Sequence, residues 1–143
     1  MRLPQHALAS TIGAAAVYAV TRSPGMAAGV FITGVFIDLD HIIDYWREHP
    51  FRMDLDHFFH TCNEYRLKKA LLISHSVEFL FPIALLVYLT RSPWIIGMSI
   101  GWALHIIMDY EGNKVHGLTY FLFHRIRVGF EIDKVFNIKD GID

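Results

Sequence analysis

The sequence has a single cysteine, almost no net charge and no secretory leader pattern. Cys62 cannot form an intramolecular disulfide, and nothing else points to an oxidising compartment. A net charge of −1 over 143 residues gives no reason to expect nucleic acid as a partner. No early basic region precedes a small-residue cleavage site, so we expect the first apolar segment to be retained. A nucleotide-binding loop is also missing, which leaves the substrate of any enzymatic activity open.

Apolar residues, in contrast, are abundant. They make up 53% of the chain, which is more than an ordinary soluble domain needs. The excess falls in four stretches, at 7–20, 25–37, 71–89 and 94–108. Only the third approaches the roughly 20 residues that span a bilayer, and the other three are nearer the length of buried core helices. We therefore predict a multi-pass integral membrane protein, with a soluble helical core as the alternative.

Turn chemistry divides the apolar stretches into two helical hairpins. Each hairpin contains the tetrapeptide Thr-Arg-Ser-Pro, at 21–24 and again at 90–93, where serine and proline favour a turn between helices. We predict an all-α, single-domain protein (1–143) in which four helices form a membrane bundle. The predicted helices cover about 5–20, 25–41, 66–89 and 94–110.

Two polar segments complete this arrangement. Residues 42–65 are charged yet aromatic, which predicts a cytoplasmic cap packed near the membrane. Residues 115–136 mix aromatic and basic side chains, which predicts either an amphipathic segment at the interface or a surface helix that closes a soluble core. Of the 13 Lys and Arg residues, only Arg22 and Arg91 lie in the tight turns. By the positive-inside rule, we expect both termini and the central segment to lie in the cytoplasm.

Residue types that bind metals recur at equivalent places in the two hairpins. His6 precedes the first Thr-Arg-Ser-Pro turn and Asp40 follows it, while His75 and Asp109 flank the second turn in the same order. A hairpin returns its two ends to one side, so a duplicated hairpin can gather two histidines and two aspartates. This internal repeat predicts a metal site on the cytoplasmic face.

Two short clusters strengthen that prediction. His105 and Asp109 are four residues apart, so they lie one above the other on a helix and can bind the same ion. The alternative is a hydrogen bond that holds the fourth helix in register. Asp38, Asp40 and His41 offer two carboxylates and an imidazole at the end of the second helix. Acidic residues there oppose the helix macrodipole unless a cation compensates, the alternative being an ordinary acidic helix end.

Further positions carry weaker signals. His6 and His75, taken singly, are as easily explained as buried structural histidines. Glu78 lies one helical turn beyond His75 in an apolar segment, which makes it a candidate ligand or general base, or a structural partner for a buried histidine. His57 and His60 follow a second Asp-Leu-Asp motif in the polar segment. A solvated helix face is the favoured interpretation of that pair.

The order of these motifs resembles the bacterial and archaeal inner-membrane proteins known as membrane-bound metal-dependent hydrolases, which include LexA-regulated hydrolase-like proteins. The matching elements are His6 before the first helix, Asp38, Asp40 and His41 after the second, Ser74-His75-Ser76 before the third, and Gly101, His105 and Asp109 in the fourth. A further histidine of the family falls at Ala70, which marks a divergent member whose metal site is either reduced or completed by His57 or His60. The resemblance implies an inner-membrane location and hydrolysis of a phosphoester or lipid headgroup.

The sequence therefore predicts a membrane-bound, metal-dependent hydrolase. Its expected metal ligands are His6, Asp38, Asp40, His41, His75, His105 and Asp109. Mixed imidazole and carboxylate ligands favour zinc, and manganese and iron also accept them. Asp38 or Glu78 would take the proton of the attacking water. Two other interpretations stay open: a non-catalytic metal-binding protein, such as a sensor or an oligomeric transporter subunit, and a structural helical membrane protein.

Overall fold

The computed structural model describes residues 3–52, 54–113 and 115–138, and these residues form an all-helical fold. Its α-helices are α1 (Leu3–Thr21), α2 (Pro24–Phe36), α3 (Asp40–Glu48), α4 (Leu55–Asn63), α5 (Leu80–Thr90), α6 (Pro93–Gly112), α7 (Leu122–Arg127) and α8 (Ile132–Val135). Short 3₁₀ turns lie at Ile37–Leu39, Ile73–His75 and Val77–Phe79. The prediction of an all-α protein is confirmed.

The chain folds into two compact units. The hairpin unit comprises the described residues up to Ile37 together with Phe79–Asn113, and it contains α1, α2, α5 and α6. The polar unit comprises Asp38–Glu78 and the described residues after Asn113, and it contains α3, α4, α7 and α8. The short turns that the sequence predicts lie in the hairpin unit, and both charged segments lie in the polar unit.

The two Thr-Arg-Ser-Pro turns share the hydrogen bonds of their threonine and the backbone conformation of their arginine. In each, the threonine hydroxyl donates to a carbonyl four residues earlier at 2.7 Å and accepts the serine backbone N–H at 3.3 Å. Arg22 and Arg91 follow the last helical residue with φ of 55° and 48°, the left-handed conformation that often ends helices. Pro24 and Pro93 then begin α2 and α6, where the missing N–H costs no helical hydrogen bond.

Helices α2 and α6 run in the same direction and approach each other closely. A Cβ atom added at Gly97 would collide with the Met26 carbonyl, and one added at Gly101 would collide with the Val30 carbonyl. Both contacts are with backbone, which cannot move aside as a flexible side chain can. Glycine at these two positions therefore sets the distance between the helices.

The hairpin unit has a small core and an apolar exterior. Ile37, Trp102 and Ile106 are buried, with Phe79 and Ile83 packed against them. Over its described length, α5 buries none of its side chains, although every position except its final threonine is apolar or proline. Exposed large apolar residues occur on all four helices, including Leu8, Ile12, Phe31, Ile32, Phe81, Leu85, Leu89, Met98 and Ile107. Exposed apolar surface of this extent marks an interaction surface, for a membrane or for another protein.

One helical stretch among the described residues, Pro24–Glu48, is long and apolar enough to cross a membrane. It has 25 residues and includes α2, the following 3₁₀ turn and α3. Val77–Thr90 is a shorter apolar helix. A candidate membrane helix is thus present in the chain.

The predicted third helix begins much later than residue 66, because side chains from elsewhere bind the backbone before it. The Asp44 carboxylate accepts the N–H groups of Leu71 and Leu72 at 2.8 and 3.1 Å. Leu72 also has a left-handed backbone, with φ of 43°, which interrupts a right-handed helix. Two 3₁₀ turns follow, and α5 starts only at Leu80.

The other predicted polar segments also differ from the structure. The boundary predicted at residue 41 falls inside α3, since a 3₁₀ turn and not a loop separates α2 from α3. Residues 115–136 form two short helices instead of one continuous amphipathic segment. Val135 and Phe136 from this segment pack with Ala70 and Leu72 in the core of the polar unit. The segment therefore contributes to a folded core.

Candidate metal centre

All seven predicted ligands make Asp/His contacts with other residues of their own unit. The polar cluster consists of Asp38, Asp40, His41 and His75. The hairpin cluster consists of His6, His105 and Asp109.

In the polar cluster, the His75 ring lies between two carboxylates. Its Nδ1 is 3.0 Å from Asp40 Oδ2, and its Nε2 is 3.3 Å from Asp38 Oδ1. The His75 side chain has no solvent exposure, whereas those of Asp38 and Asp40 are 23% and 12% exposed. His41 joins from α3, with its Nε2 3.5 Å from Asp38 Oδ1.

The hydrogen bonds of Asp40 fix the orientation of His75. Asp40 Oδ2 accepts hydrogen bonds from the Ser74 N–H, at 3.2 Å, and from the Ser74 hydroxyl. The same oxygen faces Nδ1 of His75. Both carboxylates can only accept, and a neutral His75 ring can donate to one of them. We assign its proton to Nδ1 because the contact with Asp40 is the shorter one. The remaining nitrogen, Nε2, then faces Asp38 with its lone pair. A carboxylate that orients a histidine in this way is the usual outer partner of a histidine metal ligand.

The polar cluster also has the spacing and the uncompensated charge of a cation site. Ligand-type atoms of Asp40, His41 and His75 all lie within 4.8 Å of one another. The other Asp40 oxygen, Oδ1, is buried and accepts no hydrogen bond from any residue that the structure describes. A buried carboxylate oxygen without a donor is costly, and a cation would relieve that cost. The polar unit thus contains a partly buried Asp/His cluster able to bind a metal ion.

The hairpin cluster is almost completely enclosed. His6 and His105 are each 1% exposed and Asp109 is 4% exposed. His6 Nε2 lies 3.1 Å from Asp109 Oδ1, and His105 Nε2 lies 3.6 Å from Asp109 Oδ2. The two imidazole rings stack with their centroids 3.9 Å apart and their planes 14° from parallel.

A backbone carbonyl sets the tautomer of His105. Its Nδ1 lies 2.9 Å from the Gly34 carbonyl oxygen, which can only accept, so Nδ1 carries a proton. In the neutral ring, Nε2 then presents a lone pair toward Asp109. Neither ring nitrogen of His6 makes a hydrogen bond of good geometry within the described part of the chain. Imidazole lone pairs beside a carboxylate in a buried site repel one another unless a proton or a cation lies among them.

The structure pairs residues that flank different Thr-Arg-Ser-Pro turns. His6, which precedes the first turn, contacts Asp109, which follows the second. His75, which precedes the second turn, contacts Asp40, which follows the first. The sequence predicts that both hairpins contribute ligands. It does not indicate that each histidine pairs with the aspartate of the other copy.

Glu78, the predicted ligand or general base, has other partners. Its carboxylate accepts the backbone N–H groups of Leu122 and Phe123 at 2.9 and 3.2 Å, at the start of α7. Burial raises the pKa of Glu78, but hydrogen bonds from backbone N–H groups, that of Leu122 foremost, outweigh it and hold the pKa below its usual value. Glu78 therefore caps a helix and belongs to neither cluster among the described residues.

The remaining candidates have structural partners as well. His57 Nδ1 lies 2.9 Å from the Tyr45 hydroxyl, and His60 Nε2 lies 3.0 Å from Glu64 Oε1. Burial raises the pKa of Cys62 to about 12, so its thiol is poorly suited to bind metal as a thiolate. These contacts agree with the structural interpretation of His57 and His60.

Sequence reasoning missed Asp44 and Arg125, which hold the backbone beside His75. Asp44 lies one helical turn after Asp40, a spacing that the sequence does display. Arg125 lies far along the chain from the segment that it binds, so no local pattern could identify it. Comparisons with protein-family models, with curated proteins and with solved structures found no match for the chain. The interpretation of the clusters therefore depends on their own geometry.

Proposed function

We propose that the protein is a multi-pass inner-membrane enzyme that binds a divalent cation and hydrolyses a phosphoester or lipid headgroup at the cytoplasmic face. The observation that supports this most directly is His75, held by Asp40 at one ring nitrogen and directed at Asp38 with the other. The motif order that resembles membrane-bound metal-dependent hydrolases points the same way.

Zinc is the cation that these ligands favour, and manganese and iron are the alternatives. Asp40, His41 and His75 would hold it in the polar cluster. Asp40 would offer Oδ1, while its Oδ2 orients the His75 ring. His6, His105 and Asp109 are the corresponding donors in the hairpin cluster. A bound divalent cation would lower the pKa of a water molecule from about 16 toward 7 and stabilise negative charge on the reacting phosphate.

Asp38 is the best candidate for the proton acceptor. Its carboxylate is 23% exposed, so water can reach it, and it lies beside two imidazoles. Glu78 is the weaker candidate because its carboxylate already accepts two backbone N–H groups. An Asp38→Asn variant would therefore lose hydrolysis by a factor of about 10² or more, as removal of a general base does.

Metal content and hydrolysis together test the proposal. Protein purified in detergent, both wild type and the His75→Ala variant, would be analysed for zinc, manganese and iron, then assayed on phosphodiester, phosphomonoester and phospholipid substrates. We expect stoichiometric metal and activity in the wild type and the loss of both in His75→Ala. His60→Ala is the matched control, because the His60 side chain is exposed and its ion pair within the described part of the chain is with Glu64. Equal activity in wild type and His75→Ala would rule out hydrolysis at the polar cluster.

The burial of the hairpin cluster favours a second function for that cluster. Side chains that are 1% to 4% exposed leave little access for a substrate, which suits a structural or transported ion better than catalysis. A metal sensor or an oligomeric transporter subunit would use such a cluster without hydrolysis. His105→Ala distinguishes the two functions: it would lower metal content and leave hydrolysis unchanged if the cluster is not catalytic.

A further inference from the structure

The segment 71–76, which carries His75, has no helix to support its backbone before the first 3₁₀ turn. Leu71 and Leu72 precede that turn, and Leu72 has φ of 43° and ψ of 52°. A left-handed conformation is unfavourable for leucine and persists only where surrounding contacts hold it. The contacts that hold this backbone therefore determine where the His75 ring lies.

Asp44 binds the backbone N–H groups of this segment. One oxygen of its carboxylate accepts both the Leu71 and the Leu72 N–H groups, and Asp44 itself is only 2% exposed. The Leu72 carbonyl then accepts the His75 N–H at 3.0 Å. The strained peptide is thus connected directly to the residue that carries the imidazole.

Arg125 binds the backbone carbonyl groups of the same segment. Its Nη1 donates to the carbonyls of Leu71 and Leu72, the latter at 2.6 Å, and its Nη2 donates to the Ser76 hydroxyl. Ser76 in turn donates to the Ile73 carbonyl at 2.7 Å. Arg125 has no solvent exposure. One forked guanidinium therefore spans both ends of the turn on which His75 lies, which a single ammonium group could not do with the same geometry.

We propose that Arg125 is a positioning residue that presets the His75 ring for metal binding, acting with Asp44 through the peptides of Leu71 and Leu72. This inference rests on the proposed metal-binding function. It adds that the metal affinity of the polar cluster depends on a buried arginine that is not itself a ligand. Outer partners of metal ligands typically change affinity by about 10 to 100-fold.

Histidine NMR of the metal-free protein tests the positioning without depending on metal. In protein labelled with ¹⁵N-histidine, long-range ¹H–¹⁵N correlation reports which ring nitrogen carries the proton, and a His75→Asn variant identifies the signals. We expect His75 in the wild type to be protonated at Nδ1. In Arg125→Gln its two nitrogen signals should move toward an average of the tautomers, and zinc affinity should fall at least tenfold.

Milder variants keep the test decisive if Arg125→Gln does not fold. Arg125→Lys keeps the charge, and Ser76→Ala removes one acceptor at almost constant volume, so both should fold and shift the His75 signals less. Arg127→Gln is the control, because Arg127 is an exposed arginine on the same helix. Wild-type His75 spectra in folded Arg125→Lys and Ser76→Ala would overturn the inference. A wild-type His75 spectrum unaffected by zinc would instead overturn the proposed metal binding at this cluster.

Discussion

His6 and Asp109 come from the first and last helices of the hairpin unit, and their side chains lie 3.1 Å apart. Replacing one residue of a buried pair leaves the other without its partner. The losses in the free energy of unfolding caused by the two single substitutions should therefore not add in the double variant. In chelator-treated protein, we expect His6→Ala and Asp109→Asn to show a coupling of about 0.5 to 3 kcal/mol in a double-mutant cycle of unfolding. The cycle would be measured by denaturant titration in detergent micelles.

The control cycle pairs His6→Ala with Glu111→Gln. Glu111 is exposed and lies on the same helix as Asp109. The effects of these two substitutions on the free energy of unfolding should add to within about 0.5 kcal/mol. A coupling for His6 with Glu111 as large as that with Asp109 would show that the geometry of the buried pair is not its cause.

Glu78 allows a prediction with a pH dependence. Its carboxylate caps α7 and its pKa is held below the ordinary value by backbone N–H groups, although burial opposes them. A lowered pKa in the folded state means that the stabilisation is present above the unfolded pKa of about 4.3 and is lost as the pH falls through the folded value. We expect Glu78→Gln to lower the free energy of unfolding by about 1 kcal/mol at pH 7.

The difference in the free energy of unfolding between wild type and Glu78→Gln should become smaller as the pH falls below about 4, because the wild-type carboxylate is then protonated. Thermal unfolding in detergent between pH 3 and pH 7 would measure it. Asp56→Asn is a suitable control, since Asp56 is an exposed carboxylate on α4. A stability difference independent of pH would contradict the role of the charged carboxylate.

At the scale of whole elements, the closest packing lies between α2 and α6. An alanine at Gly101 would place its Cβ against the Val30 carbonyl, so the helices would have to separate. We expect Gly101→Ala to cost about 1 to 3 kcal/mol, as overpacking does. Because His105 lies one turn further on α6 and donates to Gly34 on α2, the same change should weaken metal binding by the hairpin cluster.

Gly13→Ala provides the matched control on α1. A Cβ there would meet a methyl group of Leu104 at 3.0 Å, which is the flexible end of a side chain. Replacement of a helical glycine by alanine also gains up to about 1 kcal/mol of helix propensity. Thermal unfolding and zinc titration of both variants would measure the contrast. Equal stability of Gly13→Ala and Gly101→Ala would contradict the close approach of α2 and α6.

The sequence predicts correctly the elements that are formed by contacts between residues close together along the chain. The Thr-Arg-Ser-Pro turns depend on contacts within five residues, and they fold as predicted at both Arg22 and Arg91. The start of α5 depends on Asp44, which binds Leu71 and Leu72 from a different helix. No periodicity within the segment carries that information, so the predicted helix starts too early.

At the scale of the whole molecule, the sequence identifies the residue types of the candidate site better than their pairing. The spacing argument selects His6, Asp40, His75 and Asp109 and predicts that both hairpins contribute them. It does not predict the contacts that the structure shows, His6 with Asp109 and His75 with Asp40. Pairing of this kind depends on which helices pack together, and the parallel packing of α2 and α6 depends on glycines such as Gly101. Local sequence patterns predict hairpins, not how hairpins pack.

Two further helices match the length, but not the composition, of a membrane-spanning helix. Helices α1 and α6 have 19 and 20 residues, so each is about 30 Å long, close to the thickness of the hydrocarbon core. Their composition is less apolar partly because they carry His6, His105 and Asp109, and these three side chains are buried in the hairpin cluster. If these helices cross a membrane, as we predict, these polar side chains face the protein interior, as such residues typically do in membrane proteins.

Reporter fusions test this topology. If Arg22 and Arg91 lie on the outer side, as the charge distribution predicts, alkaline phosphatase inserted after either residue should be active, because it requires an oxidising compartment. Fused to the C-terminus it should be inactive, whereas green fluorescent protein at that end should fluoresce. The protein should also stay in the membrane fraction after an alkaline wash. Recovery in the soluble fraction would contradict membrane insertion, and an active C-terminal phosphatase would contradict cytoplasmic termini, because the basic residues of the polar segments would then lie on the wrong side.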